Sequence, residues 1–206
     1  MILPLIVLSA EAPTASPPPT QGIVSWTDYP QAAVDRNEQG SVYFEVIVSP
    51  EGQVDSCKIL ISSGYKDLDE TTCRIVTARA KFAPAKDERE RPIYGTYRQV
   101  ITWRINSAGP PPIIGPDLDL TINQAPEGMK LPGQFAVRYL VKANGTASHC
   151  EFSNDWAPKS PTVPPPILVQ LACDAAMRPP IRIVRNQKNE PVDASDGVTV
   201  RFSVKP

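Results

Sequence analysis

The chain has 206 residues, 21 basic against 22 acidic side chains, and a formal net charge of −1. That balance, with no basic cluster, excludes a general attraction to nucleic acid or anionic lipid. A hydrophobic fraction of 41% with only 7% aromatics supplies small cores rather than one large one, in one or two domains.

The apolar start, Met1 to Leu8 followed by Ser9-Ala10-Glu11-Ala12, reads as the core of a signal peptide with an Ala-x-Ala cleavage site, although the first basic residue is Arg36. An apolar stub, or a start codon placed too late, is the competing reading. Spanning a bilayer takes about 20 apolar residues, far more than this stretch holds. Residues 1–12 are therefore expected to be a signal-peptide remnant, and residues 13–22, rich in Pro, an extended leader.

Gln31 to Asn37 predicts a short helix with Pro30 at its first turn. Ser41 to Val48 alternates, with Val42, Phe44, Val46 and Val48 on one face, and predicts a strand. Ser49-Pro50-Glu51-Gly52 is a hairpin turn, and Val54 to Ser62 the return strand. A helix follows, with Asp67 as its cap and Glu70 completing a capping box. Leu68, Thr72, Cys73, Val76 and Ala80 form its inner stripe. Gly95 to Ile105 predicts a third strand, with Tyr97, Gln99, Ile101, Trp103 and Ile105 on one face. Gly109-Pro110-Pro111-Pro112 marks a linker over residues 107–124.

The pattern then recurs. Phe135 to Val141 predicts a strand, Asn144-Gly145 a hairpin turn, and Thr146 to Ser153 the return. Pro158 to Pro166 is a Pro-rich approach to a helix over 167–177, whose apolar side is Leu168, Leu171, Ala172 and Ala175. A last hairpin is expected from Ile181 to Val184 and Val198 to Val204. The fold class is α+β: two tandem units, residues 23–106 and 125–206, each a small antiparallel sheet of hairpin, helix and strand with helices on one face.

The cysteines follow the repeat. Cys57 and Cys150 each lie five positions after a turn glycine (57−52 and 150−145), and Cys73 and Cys173 lie in the predicted helices. An even count with the expected export favours disulfides, and the repeat selects Cys57–Cys73 and Cys150–Cys173 from three connectivities. A zinc site competes poorly, because C-x-x-C spacing is absent and the chain has a single His.

The first unit resembles the C-terminal domain of TonB over Tyr29 to Ile105. The resemblance is carried by Tyr29-Pro30, Gly40-Ser41-Val42, Pro50-Glu51-Gly52-Gln53-Val54, Ser62-Ser63-Gly64, Leu68-Asp69 and Lys81-Phe82-Ala83-Pro84-Ala85, in that order. The second unit looks like a degenerate copy without a clear Tyr-Pro start. The resemblance implies a non-enzymatic periplasmic domain that adds an extended peptide of an outer-membrane receptor, or of another envelope protein, to its sheet. Carried onto this chain, it makes the third strand (Tyr97, Gln99, Ile101, Trp103, Ile105) the receiving edge, flanked by Tyr29 and Pro30. It implies a protein or peptide partner, with no nucleic acid, cofactor, metal or small-molecule substrate. Membrane contact is expected only through partners or an uncleaved N-terminal segment. The leader is too short to cross a periplasm, so direct energy transduction is not expected.

Two other readings stand beside this one. In the first, the repeats pack on each other as a structural envelope protein, with Tyr29 and Trp103 as core aromatics. The second is an enzyme using His149 and Cys150, but neighbouring residues on a strand point to opposite faces. No Gly-rich phosphate loop or nucleophile elbow is present.

Overall fold

The computed structural model describes residues 23–105, 115–127, 129–131, 133–153 and 163–205. The expected signal peptide, the leader, most of the Pro-rich linker core and most of the Pro158 to Pro166 approach lie outside them.

A 3-10 turn, Trp26–Asp28, leads into α1 (Gln31–Asp35), with Pro30 as its N-cap. The strands β1 (Gly40–Val48) and β2 (Val54–Ile61) form the first hairpin. Gly52, at φ +78, makes its turn, and the Phe82 N–H donates to its carbonyl at 3.0 Å. The helix α2 (Lys66–Arg79) follows, then β3 (Ala85–Lys86) and β4 (Pro92–Trp103). After β5 (Leu118–Ile122), the hairpin β6 (Gly133–Val141) and β7 (Ala147–Ser153), α3 (Pro166–Ala176) and β8 (Ala194–Val204) complete the chain. The second half thus repeats the order strand, strand, helix, strand.

The α+β class holds, but the two expected small sheets are one. The strand order is β2-β1-β4-β8-β6-β7, with β3 beside β4 and β5 beside β8. Pairing is antiparallel within each half and parallel where β4 and β5 meet β8. The two halves join through Tyr94↔Ala194 and Gly95↔Ser195.

The helices cover opposite faces of this sheet. Phe44, Val46 and Val48 of β1 pack with Val76 of α2, so Ile47 points away from α2. Ile47 and Tyr94 instead join Tyr139, Val141 and Ala194, on the face that Ala176 of α3 also covers. Helices on a single face therefore describe each half, not the molecule.

Four local expectations are corrected. Asp67 does not cap α2: Tyr65 is the N-cap, and Asp67 pairs with Arg36. Asp69 takes the local hydrogen bonds instead, accepting from Ser62 Oγ at 2.5 Å and from the Ser63 N–H at 2.9 Å. Leu171 is exposed, because Leu168, Ala172 and Cys173 already fill the inner side of α3. Residues 181–184 form no strand; the bridge Arg185↔Pro191 stands there instead. The stretch read as linker contains β5, whose Leu118, Leu120 and Ile122 alternate with Asp119 and Thr121 and pack on the second core.

Both disulfides form as the repeat indicated, Cys57–Cys73 and Cys150–Cys173, each with Cα atoms 5.6 Å apart. This removes the zinc alternative for these four side chains.

Candidate functional site

The third strand of the first half, β4, runs for twelve residues, Pro92–Trp103. On one side β1 pairs with it from Gly95 to Trp103. On the other side β8 pairs only with Tyr94 and Gly95, and then turns to β5. Among the described residues, no strand lies along that second side from Gln99 to Trp103. A sheet edge of this kind presents N–H and C=O groups at strand spacing.

The same stretch borders a cleft of about 250 Å³, lined by Gln99 to Thr102, Ile23, Val24, Val76, Ala80, Phe82 and Tyr97. The walls are mostly aliphatic and aromatic, which suits a bulky apolar side chain beside a backbone edge.

The structure sorts the sequence candidates into two groups. Tyr97 and Trp103 are buried core. Tyr97 meets Phe82 edge-on at 5.3 Å, and Trp103 donates its Nε1–H to Thr72 Oγ1 at 2.9 Å. Tyr29 meets Trp103 edge-on at 5.2 Å and donates its hydroxyl to the Glu38 carbonyl at 2.5 Å. Burial, then the Glu38 carboxylate, pushes the Tyr29 phenol above its ordinary pKa. Gln99, Ile101 and Ile105 are half-buried, and the first two reach the edge and the cleft. The Ile105 N–H donates to Gln39 Oε1 at 3.0 Å. Pro30 begins α1 below Tyr29.

Sequence reasoning missed the charged junction where β4 meets β8. Glu45, 5% exposed, accepts from Arg98 Nε at 2.8 Å and from Arg182 Nη1 at 2.7 Å. Arg182 also donates to both oxygens of Asp196, each at 3.0 Å, and Thr96 Oγ1 donates to Asp196 at 2.6 Å. Arg98 reaches on to Asp117 at 2.7 Å. Burial opposes the charge on Arg182, yet Asp196 and Glu45 hold the guanidinium more firmly protonated than usual. The only sequence signal was a Glu placed between the apolar residues of a predicted strand. Two surface contacts also cross between the halves: the Gln187 N–H donates to Asp55 at 2.6 Å, and His149 Nδ1 lies 2.9 Å from Glu88 Oε1. His149 is therefore turned toward Glu88, while Cys150 is held in its disulfide.

This is the architecture of a sheet with one stretch of β4 unpaired by any strand among the described residues, two covalently braced hairpins and a buried ionic seam. Comparison with known proteins adds a match over part of the chain. Residues 27–105 match the family described as Gram-negative bacterial TonB protein C-terminal. Over 41 residues the chain is 49% identical to Protein TonB of Neisseria meningitidis serogroup C, covering 20% of this chain and 15% of that protein. The Protein TonB of Neisseria gonorrhoeae is 46% identical over 41 residues, 14% of its length. The chain thus matches a small part of these relatives. No solved structure matches it. Among the described residues, no helix is long and apolar enough to cross a membrane.

Proposed function

We propose that this chain is a non-enzymatic periplasmic protein that takes an extended segment of an envelope partner onto the edge of β4, as the resemblance to TonB implies. Main-chain hydrogen bonds along Gln99 to Trp103 supply affinity, and the cleft selects an apolar side chain. Gln99 and Ile101 would touch the segment. Tyr29, Pro30, Tyr97 and Trp103 would stiffen the strand from behind. The second half, residues 125–206, is a divergent copy of the same unit, and an outer-membrane receptor is the leading class of partner.

The observation that carries this reading is the coincidence of the Gln99–Trp103 edge with the apolar cleft. Titrating the isotopically labelled full chain with extended receptor peptides tests it. Amide shifts confined to residues 99–105 and the cleft walls are expected. Saturating peptide that leaves those amides unmoved refutes it.

The pairing of β4 with β8 favours a second reading, a structural protein whose halves brace each other. On that reading the same titration leaves the β4 amides unmoved, and disrupting the seam abolishes envelope integrity rather than binding.

A further inference from the structure

The strand β8 has the same place in its half as β4 in the first. Val42 of β1 pairs with Ile101, and the corresponding Phe135 of β6 pairs with Val200, so Ile101 and Val200 are equivalent. Trp103 and Phe202 are then equivalent too. The side of β8 away from β6 is not open over this stretch. It holds β5, parallel, in the register Leu118↔Val200, Leu120↔Phe202 and Ile122↔Val204.

The strand β5 is fastened like a ligand. Asp117 Oδ2 accepts from the Thr199 N–H at 2.7 Å and from its hydroxyl at 2.8 Å, and the Asp117 N–H donates to the Thr199 carbonyl at 2.9 Å. Asp119 pairs with Arg201 through two bonds of 2.5 and 2.9 Å. Leu118, Leu120 and Ile122 pack against the core that contains Phe135, Val200 and Phe202. At its far end the Lys205 N–H donates to the Ile122 carbonyl at 2.9 Å.

We propose that the edge of β8 from Thr199 to Val204 is a second strand-accepting site, and that β5 is its tethered occupant, exchangeable for a partner segment that alternates acidic and apolar residues. The proposal shares with the preceding section only the premise that edges of this sheet take strands. Apolar positions of such a segment repeat Leu118, Leu120 and Ile122, and its acids repeat the bonds to Thr199 and Arg201. A short tether holds β5 at an effective concentration of roughly millimolar, so a free segment competes poorly until β5 is weakened. Filling the first edge from outside and the second from within makes the two halves unequal despite their common plan.

The probe is a fluorescein-labelled peptide of the sequence of residues 117–122, Asp-Leu-Asp-Leu-Thr-Ile, added to the full chain. The variant Asp119→Arg with Leu120→Ser weakens β5 and leaves β8 intact. It should bind the peptide at least tenfold more tightly than the unaltered chain, with amide shifts at 199–204. Adding Arg201→Glu should remove that gain. Equal binding by the unaltered chain and the variant overturns the proposal, as does a gain confined to residues 99–105. The latter result leaves the β4 reading standing, and that reading is refuted separately, by receptor peptides that leave residues 99–105 unmoved. Hydrogen exchange on the unaltered chain is independent of whether the variant folds. Amides paired between β5 and β8 should exchange at least 100-fold faster than those between β6 and β8, and equal protection overturns the proposal.

Discussion

Replacing Arg182 by Ala should weaken the whole sheet, because this one side chain ties β1 of the first half to β8 of the second. It donates to Glu45 at 2.7 and 2.9 Å and to Asp196 twice at 3.0 Å, and both acceptors are nearly inaccessible to water. Removing one partner of a buried ion pair typically costs about 3–5 kcal/mol, since the remaining charge stays desolvated. Arg182 is 43% exposed, and Glu45 keeps Arg98, while Asp196 keeps Thr96. These two facts place the loss at the low end, about 3 kcal/mol. For a chain of this size, that lowers Tm by roughly 6–12 °C. Urea unfolding, followed at Trp103 and by amide dispersion in the second half, measures it. A double-mutant cycle with Glu45→Gln should give a coupling of about 1–3 kcal/mol between the halves. A loss below about 1 kcal/mol, the range of an exposed pair, or strict additivity in the cycle, would refute the reasoning.

Removing either disulfide by paired Cys→Ala changes should cost about 3 kcal/mol in the chain-entropy model, for loops of 16 and 23 residues; chemical denaturation of the two variants checks it. Phe202→Ala should cost about 3–5 kcal/mol, because the ring is fully buried and stacked 5.4 Å from Phe135, and thermal melts read the loss. Gly52→Ala should cost at least about 1 kcal/mol, since a Cβ there meets the Phe82 carbonyl at a φ of +78. Asp87 is held at about 2 by the Arg91 guanidinium, with the Arg91 and Arg89 N–H groups also donating to it. A depressed folded-state value means that this contribution is full above the ordinary 3.8 and is lost as pH falls through about 2. Asp87→Asn should therefore flatten the fall of Tm between pH 4 and pH 2, and an unchanged slope contradicts it.

The hairpins and long helices were legible because alternation and turn glycines are local signals: Val42 to Val48 and Asn144-Gly145 declared themselves. Both cysteine pairs were legible through the repeat. Of the candidate site, the strand was found but not the division of its residues. A period of two assigns Tyr97 and Ile101 to one face alike, and both border the cleft; only packing against Phe82 and α2 decides that Tyr97 is buried while Ile101 stays half-buried. The cap of α2 was misread because the helix begins at Lys66, ahead of Asp67, with Tyr65 as its N-cap. Asp67, already within the first turn, pairs with Arg36, 31 residues away. The merger of the halves was illegible, since Glu45, Arg182 and Asp196 join only through a contact between distant segments. β5 was missed because prolines on its N-terminal side suggested a linker, and its three apolar residues are few.

The positions of the two disulfides have a consequence for how this sheet opens. The outermost strands are β2 and β7, and each is bolted to a helix by a covalent bond. Margins that would ordinarily fray first are thereby denied that freedom, and the middle, where two backbone pairs span from β4 to β8, rests on the Arg182 seam and side-chain packing rather than on a long ladder. With that seam cut, loosening should begin from the inside, like a book parting at its spine while both covers stay stiff.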